Sequence, residues 1–173
     1  MGRRFLLGFW LSVLAAGACA AIPASERQAL LDFYASTHGD GWVYSTNWLG
    51  PPGTEGSWLG VTCNLAGTRV TRLELAGNRL TGTLPASLYR LTELQRLDLS
   101  DNELGGTIPA SIGQLKLLRA LMLGGNRLEG TLPASIGNLL RLEQLSLRGN
   151  RLQGEIPSTF GYLTRLWDGG AST

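Results

Sequence analysis

LQRLDLSDNELGGTIPASIGQLKL, at residues 94–117, is the stretch that decides the fold, because three other segments of the chain repeat its pattern. The related segments are residues 70–93, 118–141 and 142–165, so the period is 24 residues throughout. Leu, Asn, Gly and Pro return at the same phase in every copy. A fixed period of this length indicates a solenoid, in which each turn covers the apolar face of the next.

Each repeat begins with a segment typical of a short parallel strand. The alternation in residues 94–99 puts Leu97 and Leu99 inward and Asp98 outward. Buried backbone groups are costly to leave unpaired, so we expect the asparagine after each strand to satisfy backbone groups at the bend. A column of ligand-binding asparagines is the alternative interpretation. The column consists of Asn78, Asn102, Asn126 and Asn150.

The second half of each repeat opens with a Gly-x-Leu/Ile-Pro motif, such as residues 106–109. Gly permits close backbone approach, and Pro, which lacks an N–H, suits an outer edge. The remaining residues, such as 110–115, are too few for more than a helical turn, which we place on the convex side.

Residues 22–69 precede the repeats and begin with a predicted helix. Ser25 is expected to be its N-cap, with Gln28 as the capping-box partner. An apolar face follows at helical spacing, and Gly39 is the predicted stop. The residues of that face are Ala29, Leu30, Phe33 and Tyr34.

Three tryptophans follow within this segment, at Trp42, Trp48 and Trp58. They predict a plug over the end of the solenoid, where the first turn would otherwise expose its leucines. A platform for sugar binding is the alternative interpretation.

The first 20 residues are typical of a secretory signal. Arg3 and Arg4 precede an apolar run, and small residues at 18–20 offer a cleavage point after Ala20. An uncleaved anchor and a lipid modification at Cys19 are alternatives. Cleavage would leave 13 basic against 13 acidic residues, so no basic surface of the kind that nucleic acid requires is expected.

Chemistry-bearing residues are sparse in this chain. His38 is the single histidine, and Cys63 is the single cysteine left after cleavage, which is too few for an ordinary zinc site. No glycine run followed by Lys is present to cradle phosphate. A helix C-terminus favours His for electrostatic reasons, so His38 needs no catalytic explanation. We therefore expect no enzyme, no cofactor and no metal.

The outward positions of the strands are the predicted binding site. They form columns that set Arg beside acid in the first two repeats, either as a polar recognition patch or as a self-neutralising surface. The residues that we expect to face a partner are Arg72, Glu74, Arg96, Asp98, Met122, Gln144, Ser146 and Arg148.

The pattern Leu-x-x-Leu-x-Leu-x-x-Asn-x-Leu-x-Gly-x-Ile/Leu-Pro resembles the plant-type subclass of leucine-rich repeats. The segment before it resembles the N-terminal cap of such proteins, in residues 29–34, Asn47-Trp48 and Trp58-x-Gly60-Val61-x-Cys63. The resemblance implies a curved α/β solenoid with a parallel sheet on its concave face. It also implies recognition of proteins, peptides or carbohydrates outside the cell.

The chain departs from the family at two places. Gly56 stands where the cap motif usually has a cysteine, so the resemblance implies that the cap disulfide is missing and that Cys63 is a free, buried thiol, or one that pairs between chains. Residues 166–173 begin a fifth repeat that stops early. We expect the last leucines to be poorly covered, with Trp167 as a partial lid or with end-to-end self-association of the chain.

The predicted organisation is a signal at residues 1–20, a cap at 21–69, four repeats at 70–165 and a truncated repeat at 166–173. The predicted fold is an α/β leucine-rich-repeat solenoid with a helical cap. The predicted function is non-enzymatic binding of a protein or peptide on the concave face by a secreted or periplasmic protein without a membrane span. Binding of polysaccharide or cell wall, and a non-functional fragment of a longer receptor or effector, are the alternatives.

Overall fold

The computed structural model describes residues 21–166. One α-helix, α1, spans Ala24–Ser36. The strands are β1 (Val61–Cys63), β2 (Val70–Glu74), β3 (Arg96–Asp98), β4 (Ala120–Met122), β5 (Glu129–Thr131), β6 (Gln144–Ser146) and β7 (Arg151–Gln153). Five of these strands form one sheet in the order β1-β2-β3-β4-β6, in which the four strands of the repeats are parallel.

The predicted alternation of inward and outward side chains is confirmed in the repeat strands. Leu73, Leu97 and Leu121 are fully buried, whereas Glu74 and Asp98 beside them reach solvent. Removing each leucine side chain from water stabilises the fold by roughly 1.5–3 kcal/mol. The inward leucines of successive repeats join one continuous core.

The rest of each repeat returns over the convex side in a five-residue 3-10 turn. The four turns are Ala86–Arg90, Ala110–Gln114, Ala134–Asn138 and Ser158–Tyr162. In the second and third turns the glycines Gly113 and Gly137 lie against the next repeat, where a Cβ on Gly137 would clash with the Thr159 carbonyl oxygen. In the first turn Tyr89 takes the glycine's position and is fully buried. Burial raises the pKa of its phenol.

The asparagine column satisfies backbone groups, as predicted. Asn102 Oδ1 accepts hydrogen bonds from the backbone N–H groups of Asn78 and Leu80, at 2.9 Å each. Its amide nitrogen donates to the carbonyls of Leu75 and Leu99 at 2.9 and 3.0 Å. Each such side chain therefore ties its own bend to the preceding repeat.

The first asparagine makes the corresponding bonds to the cap. Asn78 Oδ1 accepts from the Tyr44 backbone N–H at 2.7 Å, and its amide nitrogen donates to the Tyr44 carbonyl at 2.8 Å. The cap thus presents one residue's N–H and C=O where a preceding repeat would present its own bend.

The Gly-x-Leu/Ile-Pro segments form structure that the sequence did not predict. Strands β5 and β7 pair in parallel as a second sheet, and Thr83 makes an isolated parallel bridge to Gly105. These short pairings lie between the bend and the convex turn of each repeat, and they add backbone hydrogen bonds between neighbours.

The prediction of a capping box at Ser25 and Gln28 is wrong. Helix α1 begins at Ala24, and its N-cap Pro23 makes no side-chain capping bond. Gln28 instead donates to Asp32 Oδ1 at 2.7 Å. The expected apolar face is confirmed by the complete burial of Ala29, Leu30 and Phe33.

A buried carboxylate joins α1 to the first repeat. Glu26 is fully buried and accepts the Val70 backbone N–H at 2.9 Å and an Arg69 guanidinium N–H at 3.1 Å. A buried charge is tolerated only when it is paired and hydrogen-bonded, and both requirements are met here.

The cap adds an antiparallel strand to the sheet, which the sequence analysis did not predict. Strand β1 pairs with β2, with Val61 opposite Leu73. Cys63, at the end of β1, is half-buried and disulfide-bonded, so the expectation of a free, buried thiol is wrong.

The fourth repeat is less well covered than the others, in part as expected. Ile156 is 72% exposed, whereas its equivalent in the second repeat, Ile108, is 3% exposed. Leu147, Leu152 and Phe160 are partly buried, but Leu163 is buried, contrary to the prediction. The predicted signal at residues 1–20 and the predicted lid Trp167 lie outside the described residues.

Candidate functional site

The concave sheet face, built by β2, β3, β4 and β6, is the candidate site. The strand register places the predicted residues side by side on it. One column, in order of the repeats, is Arg72, Arg96, Ala120 and Gln144. The next column is Glu74, Asp98, Met122 and Ser146. Arg148 lies two residues beyond β6, in the fourth repeat.

Arg96 is the centre of the polar patch predicted in the first two repeats. Its Nε lies 2.7 Å from Glu74 Oε1, and a terminal nitrogen lies 2.8 Å from Asp98 Oδ2. The Arg96 side chain is one-third exposed, which leaves these attractions partly screened by water. The charges of Glu74 and Asp98 are therefore balanced by Arg96 on the same surface.

Two further bonds extend this cluster. Asp98 Oδ1 accepts a hydrogen bond from the Ser100 hydroxyl at 2.7 Å. Arg96 also donates to Gln144 Oε1 at 3.5 Å, which lies two strands away. This hydrogen bond spans the third repeat, whose residue in the same column is Ala120. The sequence analysis left open whether this patch recognises a partner or neutralises itself, and its geometry is that of internal pairing.

Two arginines of the same face have no such pairing. Arg72 and Arg148 are exposed, and within residues 21–166 neither has an acidic group within ion-pair distance. They lie in the first and the fourth repeat, on either side of the Arg96 cluster. The sequence pattern placed all three arginines on this face but could not tell a paired guanidinium from an unpaired one, because only side-chain geometry separates the two.

Between Arg72 and Arg148, the third repeat presents only small or partly buried side chains on this face. Ala120 and Gly124 of the third repeat are buried, and Met122 is half-buried. A Cβ on Gly124 would lie 2.7 Å from the Ser146 hydroxyl oxygen and 3.3 Å from the Arg148 carbonyl oxygen, so the fourth repeat packs closely against this glycine. The third repeat therefore offers backbone and a thioether instead of charge.

The three cap tryptophans form a buried cluster and not an exposed platform. Trp42, Trp48 and Trp58 are 7%, 8% and 1% exposed, and successive ring centroids are 4.9 and 5.0 Å apart. The Trp48 indole N–H donates to the Leu59 carbonyl at 2.9 Å. A sugar-binding platform needs accessible ring faces, so the plug is the interpretation that the structure supports.

His38 does not take part in a catalytic arrangement. Its Nδ1 lies 3.0 Å from the Thr81 hydroxyl, while Asp40 accepts the Tyr34 hydroxyl at 2.9 Å. His38 therefore helps to join the end of α1 to the first repeat. Within residues 21–166 no group of three or more His, Cys, Asp or Glu side chains is arranged to hold a metal ion. In the same range, no helix is both long and apolar enough to cross a membrane.

Comparison with protein families places the repeats in a known class. Residues 68–128 and 141–163 match two family models, both described as leucine-rich repeat. Among curated proteins, an inactive leucine-rich repeat receptor-like serine/threonine-protein kinase of Arabidopsis thaliana is 45% identical over 74 residues. The match covers 42% of this chain and 11% of the kinase, so the chain spans about a tenth of that relative's length.

Solved structures match over most of the chain. The BIR2 ectodomain from Arabidopsis thaliana is 34% identical with a TM-score of 0.74, over 85% of this chain and 78% of that one. The plant peptide hormone receptor RGFR1, solved in complex with RGF2, is 40% identical with a TM-score of 0.57, over 63% of this chain and 20% of that one. The fold of these ectodomains is the solenoid described above.

Proposed function

Because the chain belongs to the leucine-rich-repeat proteins of the plant type, we propose that it is a non-enzymatic binding module that recognises a protein or peptide on its concave face. The observation that supports this most directly is the sheet itself. Strands β2, β3, β4 and β6 stay in register over four repeats and hold two columns of side chains toward solvent. Such a surface is extended and rigid, which lowers the entropy lost on binding.

The surroundings of this face favour a partner of polypeptide type. The columns contain charged, amide and hydroxyl side chains around the half-buried Met122, and no aromatic residue on which a sugar ring would stack. The plant receptor RGFR1 is a peptide hormone receptor with the same fold. A polysaccharide partner is the weaker proposal, because the cap tryptophans that motivated it are buried.

We also propose that the protein acts outside the cytoplasm, as a secreted or periplasmic protein. The basic and apolar sequence of residues 1–20 supports this proposal. The BIR2 structure is that of an ectodomain. Mass spectrometry of the protein recovered from the medium or periplasm tests it: a new N-terminus at Ala21 is expected, and an intact leader on cytoplasmic protein contradicts it.

Self-association is a separate proposal for the fourth repeat. Ile156 and Tyr162 of that repeat, and Leu140 at the end of the third repeat, are exposed apolar side chains, at 72%, 64% and 58%. Contact between two copies would cover them. Light scattering across a concentration series tests this, and a monomer at every concentration contradicts it.

Site-specific cross-linking tests the binding proposal. A photoreactive amino acid replaces Gln144 on the concave face or Gln153 on the second sheet, two exposed glutamines of the fourth repeat. After exposure of the protein to the fluid of its own compartment, we expect partner adducts from the first position and none from the second. Adducts from Gln153 alone, or from neither position, contradict the proposal.

A further inference from the structure

The charges of the concave face fall into two kinds, and this difference identifies the chemistry of the partner, given the binding function proposed above. The Arg96 cluster is engaged: Arg96 pairs with Glu74 and Asp98 and reaches Gln144. A ligand carboxylate that took Arg96 would have to displace these acids. That exchange replaces two ion pairs with one and leaves two acids uncompensated, so it gains little.

Arg72 and Arg148 are free to accept a ligand carboxylate without breaking anything. Both are exposed, and no acid among residues 21–166 lies within 4.0 Å of either guanidinium. Arg offers a planar set of donors that matches a carboxylate in two parallel hydrogen bonds. Two such groups on one rigid face fix both the position and the direction of a bound segment.

The spacing of the two arginines follows from the sheet. They are separated by three strand spacings of about 4.8 Å and by about four residues of about 3.3 Å along the strand direction. The diagonal is roughly 20 Å, which an extended peptide spans in about six residues. Because side chains of an extended chain alternate, residues six apart point to the same side.

The surface between the arginines suits the middle of such a segment. Ala120 and Gly124 are buried and Met122 is half-buried, so nothing bulky stands in the path.

We propose that the partner contributes an extended segment with two acidic side chains about six residues apart, which crosses the strands diagonally and pairs with Arg72 and Arg148. The Arg96 cluster beneath the segment serves as a fixed surface that excludes other registers. The proposal concerns an acidic polypeptide, because the two unpaired guanidinium groups attract carboxylates and repel a basic segment.

A display library of random peptides, panned on the full chain at physiological ionic strength, tests this inference. We expect enriched peptides to share two Asp or Glu residues at this spacing. The Arg72→Ala and Arg148→Ala variants should each weaken binding by about tenfold, and raised salt should weaken it further. Arg141→Ala, which removes an exposed arginine at the end of the third repeat, is the matched control and should bind normally.

A Met122→Trp variant separates the failure of this inference from the failure of the proposed function. This substitution puts a bulky neutral side chain in the middle of the face and adds no charge that an acidic peptide would favour. Enriched peptides that lack the acidic pair, bind both arginine variants normally and are lost on Met122→Trp would overturn the inference and keep the concave site. Peptides insensitive to Met122→Trp, or no enrichment, would overturn both.

Discussion

The second repeat and the fourth repeat contain the same leucines and give them different surroundings. Leu97 and Leu99 are fully buried, because a repeat lies on each side of them. Their equivalents Leu145 and Leu147 are only partly buried. The comparison shows that the hydrophobic core of one repeat is completed by side chains of the neighbouring repeats. A leucine's contribution to stability depends on the next turn along, and only secondarily on the sequence of its own repeat.

The largest expected effect comes from truncating the inward leucine of the strand in each of these two repeats. We expect Leu97→Ala to lower the free energy of unfolding by about 3–4 kcal/mol and Leu145→Ala by about 1–2 kcal/mol, because only the first leaves a closed cavity. Urea denaturation of both variants measures the difference. Equal losses would mean that the fourth repeat is as well covered in solution as the second, and would overturn the comparison.

A smaller effect is expected at the asparagine column. Asn102→Ala leaves the buried N–H groups of Asn78 and Leu80 and the Leu75 carbonyl without partners, for a loss of about 2–3 kcal/mol. Asn150 is less buried, and Asn150→Ala should cost about 1 kcal/mol because water reaches the groups it leaves behind.

Hydrogen exchange sharpens this second measurement. Asn102→Ala should speed exchange of the Leu80 amide, and Asn150→Ala that of the Leu128 amide, which are the donors to the two side chains. Unchanged exchange at Leu80 in the first variant would mean that the column does not hold the bends.

The smallest effect is expected on the concave surface. Arg96→Met removes two ion pairs that are partly open to solvent, and should change stability by less than about 1 kcal/mol. Thermal unfolding at low and high salt measures this. A loss as large as that of Leu97→Ala would show that the cluster supports the fold and would contradict its assignment to the surface.

The repeats could be predicted from sequence because each determinant recurs at one phase. The inward Leu97, the outward Asp98 and the bend residue Asn102 each obey a local rule, and four copies reinforce it. The same regularity fixed the two columns of the candidate face. Family resemblance supported the cap, and its tryptophans could be assigned to a plug because bare leucines at the first turn require cover.

The remainder depends on contacts that local pattern does not encode. Strand β1 exists because its backbone meets β2, and β5 and β7 are only three residues long, too short for a sequence pattern to identify. The capping box failed because Glu26 is drawn into the core toward Arg69 and Val70, which lie far along the chain. The pairing of Arg96 and the isolation of Arg72 and Arg148 required side-chain geometry.

The bonds between Asn78 and Tyr44 have a consequence for how such chains change length. Asn78 hydrogen-bonds to the backbone N–H and C=O of Tyr44 in the cap, much as Asn102 hydrogen-bonds to the bend of the preceding repeat. The junction is interchangeable: the cap can be followed by any whole number of 24-residue units, since each brings the asparagine that docks on its predecessor. Gene duplication or loss of single units can therefore lengthen or shorten the ribbon while every bend keeps its hydrogen-bonding partners.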